Sequence, residues 1–258
     1  MRFKVFVETS VLVAASTFMV SKPFSFEIKD PFYDEAMRLV SLLRKHINKQ
    51  IGITSSFVVD QTYRVLGYVI ERMLGEKIED KAKFYEILSI TIDSCEDRLR
   101  EVLSSLSQLP INPEETDKLY FLVTKMFAEK EKKAAFLPKP AIPMTKAAPR
   151  FLSKKELFNM YKNQDEILHF QLTNLLFNPV KDSDKKILAR AAYFAKLYKE
   201  TEGKNIRFFL ASTDYHFVPY RREILVSRQV TDNIEEDFFG IICDRPHQIF
   251  LELENALK

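Results

Sequence analysis

Near both ends of the chain, short apolar segments of strand type are set beside stretches whose apolar residues recur at helical spacing. Phe3 to Val7 is β-branched and aromatic, and reads as a short buried strand. Ile206 to Ala211 is a second clear apolar strand, and Ile241 and Ile242 sit in a third. Helical patterns follow the first and last of these and precede the second. Strands that alternate with helices pair as parallel neighbours, because each helix carries the chain back to where the next strand must begin. The expected fold class is therefore α/β, with a central parallel sheet and helices on its faces.

The stretches between fill in this frame. Thr9 or Ser10 is the expected cap of the first helix. Pro31 opens a helix through about Lys49, with Ala36, Leu39, Val40, Leu43 and Ile47 on one face. Ile51 to Ile53 reads as another strand, and Thr54 to Ser56 cap a helix that runs to about Leu74 and ends at Gly75. That helix is expected to bury Val58, Val59, Val65, Leu66, Val69 and Ile70. A further helix covers about Asp80 to Ser107, and "DSDKKILARAAYFAKLYKE" is another. Lys130 to Arg150 carries four prolines and no acid after Glu131, and reads as an extended basic loop. The expected organisation is one domain over 1–258, with a core of 1–108 and 181–258 around a helical and basic insertion, 109–180.

Several chemistries are excluded. The five glycines are Gly52, Gly67, Gly75, Gly203 and Gly240, and no two are close, so no phosphate-cradling loop or dinucleotide fingerprint exists. No nucleophile-elbow serine is present. His46, His169, His216 and His247 are scattered, and Cys95 and Cys243 match no metal-ligand spacing. The net charge of +3 is too even to imply nucleic acid by itself. The apolar run Val11 to Val20 is too short to span a membrane and follows Glu8. A cytoplasmic, non-membrane protein is expected.

What remains is a set of carboxylates near strand ends. Glu8 lies just past the first strand, and Asp214 just past the strand ending at Ala211. Asp184 lies in the first turn of the helix leading toward that strand, and Asp60 near the start of the helix after Ile51 to Ile53. In parallel α/β sheets, ligand sites lie beyond the carboxyl ends of the strands. Acids gathered there repel one another unless cations neutralise them, and hard oxygen ligands favour Mg²⁺ or Mn²⁺. Asp184 falls on the same helix face as Ile187, Leu188, Ala191 and Ala195, whereas Asp182 points away and reads as a cap. Asp60 projects away from the buried face of its own helix.

The chain shows Glu8-Thr9-Ser10-Val11-Leu12, then Asp184-Lys185-Lys186-Ile187-Leu188-Ala189-Arg190-Ala191, then Ser212-Thr213-Asp214-Tyr215-His216-Phe217. These pieces, in this order, resemble the PIN-domain family, whose motifs are "x-[DE]-[ST]-S-x-L", "D-x-x-I-x-A-x-A" and "[ST]-x-D-x-x-F". The resemblance covers about the first 70 and the last 80 residues. It implies a three-layer α/β/α fold and a Mg²⁺- or Mn²⁺-dependent ribonuclease, with Glu8, Asp60, Asp184 and Asp214 as the acids that hold the metal. The family's middle acid falls on Asp60 or, judged by distance to Leu66, on Gln61. Ser212 is implied as a polar helper. Arg221 and Arg222, shortly after Asp214, are candidates to hold a phosphate.

Single-stranded RNA is the expected partner, with the basic middle of the chain as a strand-binding flap. A homodimer and a protein partner also stay open. The first acid is Glu8 where the family usually has Asp, so a degenerate module that binds RNA or protein without cutting is the alternative. A phosphatase is disfavoured, because its nucleophile is an Asp with a second Asp two residues on, and here those residues are Glu8 and Ser10.

Overall fold

A computed structural model describes residues 2–21, 26–135, 180–203, 205–214, 217–218, 234–235 and 238–257, with the backbone alone described for 130–135. Strand β1 (Arg2–Val7) is buried at every position after its exposed first residue, as a strand covered on both faces should be. It is the middle strand of a five-stranded sheet in the order β5–β4–β1–β6–β7, with β4 (Gly52–Thr54), β5 (Ser107–Gln108), β6 (Ile206–Ala211) and β7 (Ile241–Asp244). Pairing is parallel between β1 and β4, β4 and β5, and β1 and β6. The Ser212 N–H donates to the Asp244 carbonyl at 3.1 Å, which brings the carboxyl ends of β6 and β7 together. The protein is thus an α/β protein on a parallel sheet. The strand order also reverses direction: from β1 the chain builds outward through β4 and β5, then returns to the other side of β1 for β6 and β7.

The chain divides into two compact units, one of Met1–Pro110, Glu202–Thr213 and Cys243–Lys258, the other of Ile111–Thr201 and Asp214–Ile242. In the first, α1 (Thr9–Ser16) packs on α2 (Tyr33–Lys45), α3 (Ser56–Gly75) and α4 (Lys81–Leu103). Helix α2 also packs on the last helix, α7 (Pro246–Leu257). Helix α3 buries Val58, Thr62, Leu66, Ile70 and Leu74, a narrow stripe with a step of four. Val59, Val65 and Val69, expected inside, are only half-buried. Gly75 is the last helical residue, and Glu76 is the cap.

Two elements lie outside the sequence expectations. The first is a hairpin of β2 (Phe18–Ser21) and β3 (Phe26–Lys29), which forms its own two-stranded sheet. Aromatic and cationic contacts anchor it. The Phe18 ring stacks on Tyr33 at 4.9 Å, the Arg98 guanidinium lies 5.2 Å from the Phe18 ring centre, and Arg98 donates to the Tyr33 hydroxyl at 3.1 Å. The second is β5, only two residues long. Helix α5 (Pro113–Ala135), in the second unit, lies in the stretch expected as a helical and basic insertion. Its last six residues, 130–135, open the stretch expected to be an extended loop, and they are helical instead. Helix α6 (Asp182–Glu202) is joined to α5 by the Lys196–Glu115 ion pair at 3.3 Å. Among the described residues no helix is long and apolar enough to cross a membrane.

Gly52 lets β4 approach the layer beside it. A Cβ there would lie 2.7 Å from Leu106 Cδ2 and 3.0 Å from Leu43 Cδ1. Gly52→Ala should therefore lower stability by about 1–3 kcal/mol in urea titration, through overpacking.

Asp30, at the end of the hairpin, gives a pH-dependent prediction. Burial pushes its carboxyl above the ordinary value of 3.8, outweighing the Phe32 N–H bond and the pull of Arg72. A folded-state pKa above the unfolded one means that ionisation at neutral pH costs stability. Asp30→Asn should raise the melting temperature at pH 7. The gain should vanish below about pH 3.8, where Asp30 is protonated in the folded and unfolded states alike.

Candidate functional site

The end of β1 runs directly into α1, and Glu8 is the residue at the junction. Its backbone is extended (φ −96°, ψ 175°), and its carbonyl accepts the N–H groups of Val11 and Leu12, both at 3.2 Å. Glu8 is thus the helix cap, the place expected for Thr9 or Ser10. Its carboxylate does the work of a capping side chain. Oε2 accepts the Ser10 N–H at 2.8 Å, and Oε1 accepts the Ser10 hydroxyl. The residue is only 2% exposed. A carboxylate so far out of water needs donors, and one serine supplies two of them.

Ser10 reaches the other way as well. Its Oγ accepts the Thr213 N–H at 2.8 Å and the Thr213 hydroxyl at 2.9 Å. The Glu8 N–H donates to the Ala211 carbonyl at 3.4 Å, and the Thr54 hydroxyl donates to the Val7 carbonyl at 3.0 Å. The carboxyl ends of β4, β1 and β6 are therefore tied together around Glu8. On the α3 side, Thr9 donates to Gln61 Oε1 at 3.3 Å. Of the two residues open for the middle position, Gln61 is the one beside this edge, while Asp60 is exposed on α3.

The next strand end carries an acid outside the expected set. Asp244 closes β7, is 3% exposed, and accepts the Arg245 N–H on Oδ1 at 2.8 Å. Its signal is present in "IICD", an apolar strand ending in a carboxylate, the same pattern that singles out Glu8 and Asp214. Ser212, between Glu8 and Asp244 in strand order, is fully buried.

Asp184 and Asp214 belong to the second unit. Asp184 is 8% exposed, in the first turn of α6 as expected. The Lys181 carbonyl accepts the N–H groups of Asp184 and Lys185, so Lys181, not Asp182, is the cap. Asp184 Oδ2 accepts the Lys181 N–H at 3.3 Å, and Oδ1 accepts the Ser183 hydroxyl at 3.2 Å. This is the return half of a capping box, a structural use for a buried acid. Asp182 instead pairs with Lys186 at 2.7 Å, and that bond holds its carboxyl below the usual range. Asp214 is half-buried, and its carbonyl accepts the N–H groups of Phe217 and Val218, a turn straight after the Thr213 contact. Arg221, Arg222 and 136–150, including most of the expected flap, lie outside the described residues.

Among the described residues, no three His, Cys, Asp or Glu side chains surround a point that could hold a metal ion. The edge around Glu8 offers hard oxygen donors: one buried carboxylate, the hydroxyls of Thr9, Ser10 and Thr213, and the Gln61 amide. Such a set suits a cation that keeps most of its water, or a hydroxyl-bearing ligand. No protein-family model matches the chain, and no curated protein and no solved structure matches it.

The Ser10 hydroxyl serves Glu8 and Thr213 together, so its removal strands a buried carboxylate oxygen and a backbone N–H. Ser10→Ala should cost about 1–3 kcal/mol of stability in urea. Thr213→Val, which keeps the backbone donor and removes only the hydroxyl, should cost less.

Proposed function

We propose that the chain is a cytoplasmic, PIN-like ribonuclease that cuts single-stranded RNA with Mg²⁺ or Mn²⁺. The observation that carries this reading is the position of Glu8. It is a buried carboxylate at the point where strand order reverses, between β1 and β6. That point in an open parallel sheet is where ligands bind. The donor chemistry fits a hard cation in kind. Glu8 presents carboxylate oxygens, and Mg²⁺ commonly takes one or two carboxylates and fills its remaining positions with water and substrate phosphates. Glu8 would hold the ion, with Asp184 and Asp214 as the acids the family motifs assign to it. Asp60 is the weakest member, because Gln61 lies at Thr9. A bound ion would activate water and offset the charge of the phosphodiester. Ser10 keeps the Glu8 carboxylate in one rotamer with two hydrogen bonds, which is what a metal ligand requires of its neighbours. The buried, unlinked thiols of Cys95 and Cys243 suit a reducing compartment.

One observation favours a second reading, a PIN-like module that binds RNA or a protein without cutting. Both Glu8 oxygens are already engaged by Ser10, and Gln61 cannot supply a charge. A single assay separates the two. With Mn²⁺, the purified full chain should cut a labelled single-stranded RNA, and EDTA should stop it. Glu8→Gln should lower the rate by about a hundredfold or more, and Glu8→Asp should lower it less. If the parent protein leaves RNA intact while Glu8→Asp gains cleavage, the binding module is the correct reading.

A further inference from the structure

Ser10 stands between Glu8 and Thr213, and its one hydroxyl proton decides how the three are joined. An ionised carboxylate only accepts, so the Ser10 proton goes to Glu8 Oε1. The Ser10 oxygen is then left as an acceptor. Both bonds it accepts come from Thr213, the N–H at 2.8 Å and the hydroxyl at 2.9 Å. The hydroxyls therefore run in one direction, from Thr213 through Ser10 to Glu8. Other threonines of the chain are used differently. Thr17, Thr62, Thr91, Thr116 and Thr201 each donate to the carbonyl four residues back, and Thr54 donates to the Val7 carbonyl. Among the described residues, the threonine hydroxyls that donate to a side chain are those of Thr9 and Thr213, and both lie at the carboxyl edge.

The strand ends are held without the Thr213 hydroxyl. The Glu8 N–H donates to the Ala211 carbonyl, and the Thr213 N–H alone would tie Ser10 to β6. What the hydroxyl adds is a second bond on the Ser10 oxygen. That bond restricts rotation of Ser10 and, by drawing charge from its oxygen, strengthens its O–H as a donor to Glu8. A glutamate side chain left loose must be ordered when it takes a ligand, and it is among the side chains with most rotamer freedom to lose. Groups that orient a ligand in this way raise the affinity of a metal site. We propose that Thr213 is a positioning residue for the Glu8 carboxylate, holding Ser10 in the rotamer that donates to Glu8 and so setting the affinity of that carboxylate for Mg²⁺ or Mn²⁺. The choice of cation rests on the ribonuclease reading; binding it does not require cleavage.

The test titrates the full chain with Mn²⁺ alone and follows the electron paramagnetic resonance signal of the free ion, which falls as the ion binds. Ser10→Ala removes a group bonded directly to Glu8 and should weaken binding about tenfold or more. Thr213→Val acts one bond further out and should weaken it about fivefold. Thr213→Ser, which keeps the hydroxyl, should restore the parent affinity. Thr213→Cys, a poor donor of similar size, should fall between, and covers the case in which the valine variant does not fold. In the Ser10→Ala background the link is already cut, so adding Thr213→Val or Thr213→Cys should cost no further affinity. A merely structural role for Thr213 would weaken both backgrounds alike. No Mn²⁺ binding by the parent, parent affinity in the valine or cysteine variant, or equal losses in the two backgrounds would overturn the proposal. Thr213-dependent Mn²⁺ binding with single-stranded RNA left intact would sink the ribonuclease reading and leave this proposal standing. Mn²⁺-dependent cleavage by a Thr213→Val protein that binds the ion as tightly as the parent would do the reverse.

Discussion

The pairing of β1 with β6 is the contact on which the rest depends. It runs the full length of both strands, from Arg2 opposite Ile206 to Val7 opposite Ala211. Partners so far apart in sequence are expensive to bring together, because loop closure must be met before any contact rewards it. The return comes as burial: Val5, Phe6 and Val7 on one strand and Phe208, Phe209 and Leu210 on the other are fully enclosed. Once the pair forms, the order of the sheet follows, with β4 and β5 on one side of β1 and β7 beyond β6. The reversal of strand order at β1 and β6 is then unavoidable, and Glu8 stands at it.

The carboxyl edge is a place where polar groups are buried and must be satisfied. Glu8 meets that demand within two residues of itself, through Ser10, and the same hydroxyl reaches across to Thr213. Asp184 meets it within its own helix turn, through Lys181 and Ser183. Both acids therefore have a structural use that does not conflict with a functional one. A carboxylate has about four acceptor sites, so capping bonds do not by themselves exclude a further ligand.

Most of the sheet is legible from the residues alone, because a strand buried on both faces must be apolar throughout. Phe3 to Val7, Ile206 to Ala211 and Ile241 with Ile242 carry that mark, and the helices beside them carry the spacing of 3.6. The hairpin does not show itself. Phe18 to Ser21 and Phe26 to Lys29 are too short for a period to register, and the contacts that hold them, from Tyr33 and Arg98, come from elsewhere in the chain. Strand β5 is missed for the same reason: two residues carry no pattern, and only pairing with β4 makes them a strand.

The division at the site follows the same line. Residues that bear chemistry near strand ends can be read from the chain alone, because an acid after an apolar run is visible without coordinates. Glu8 and Asp214 are found that way, Asp184 is found by its place on an apolar helix face, and Asp244 was open to the first reading. Which of two adjacent residues turns toward the edge was decided only by the tertiary structure. Asp60 and Gln61 differ by one step of about 100° on α3, and the packing of α3 against α1 sends Gln61 to Thr9 and leaves Asp60 in water. The cap of α1 was settled in the same way. Thr9 and Ser10 have the usual chemistry for it, but the path from β1 places Glu8 there, and Ser10 is drawn to Thr213 instead. Local propensity ranks what each residue can do; the partner brought from about 200 residues away selects what it does.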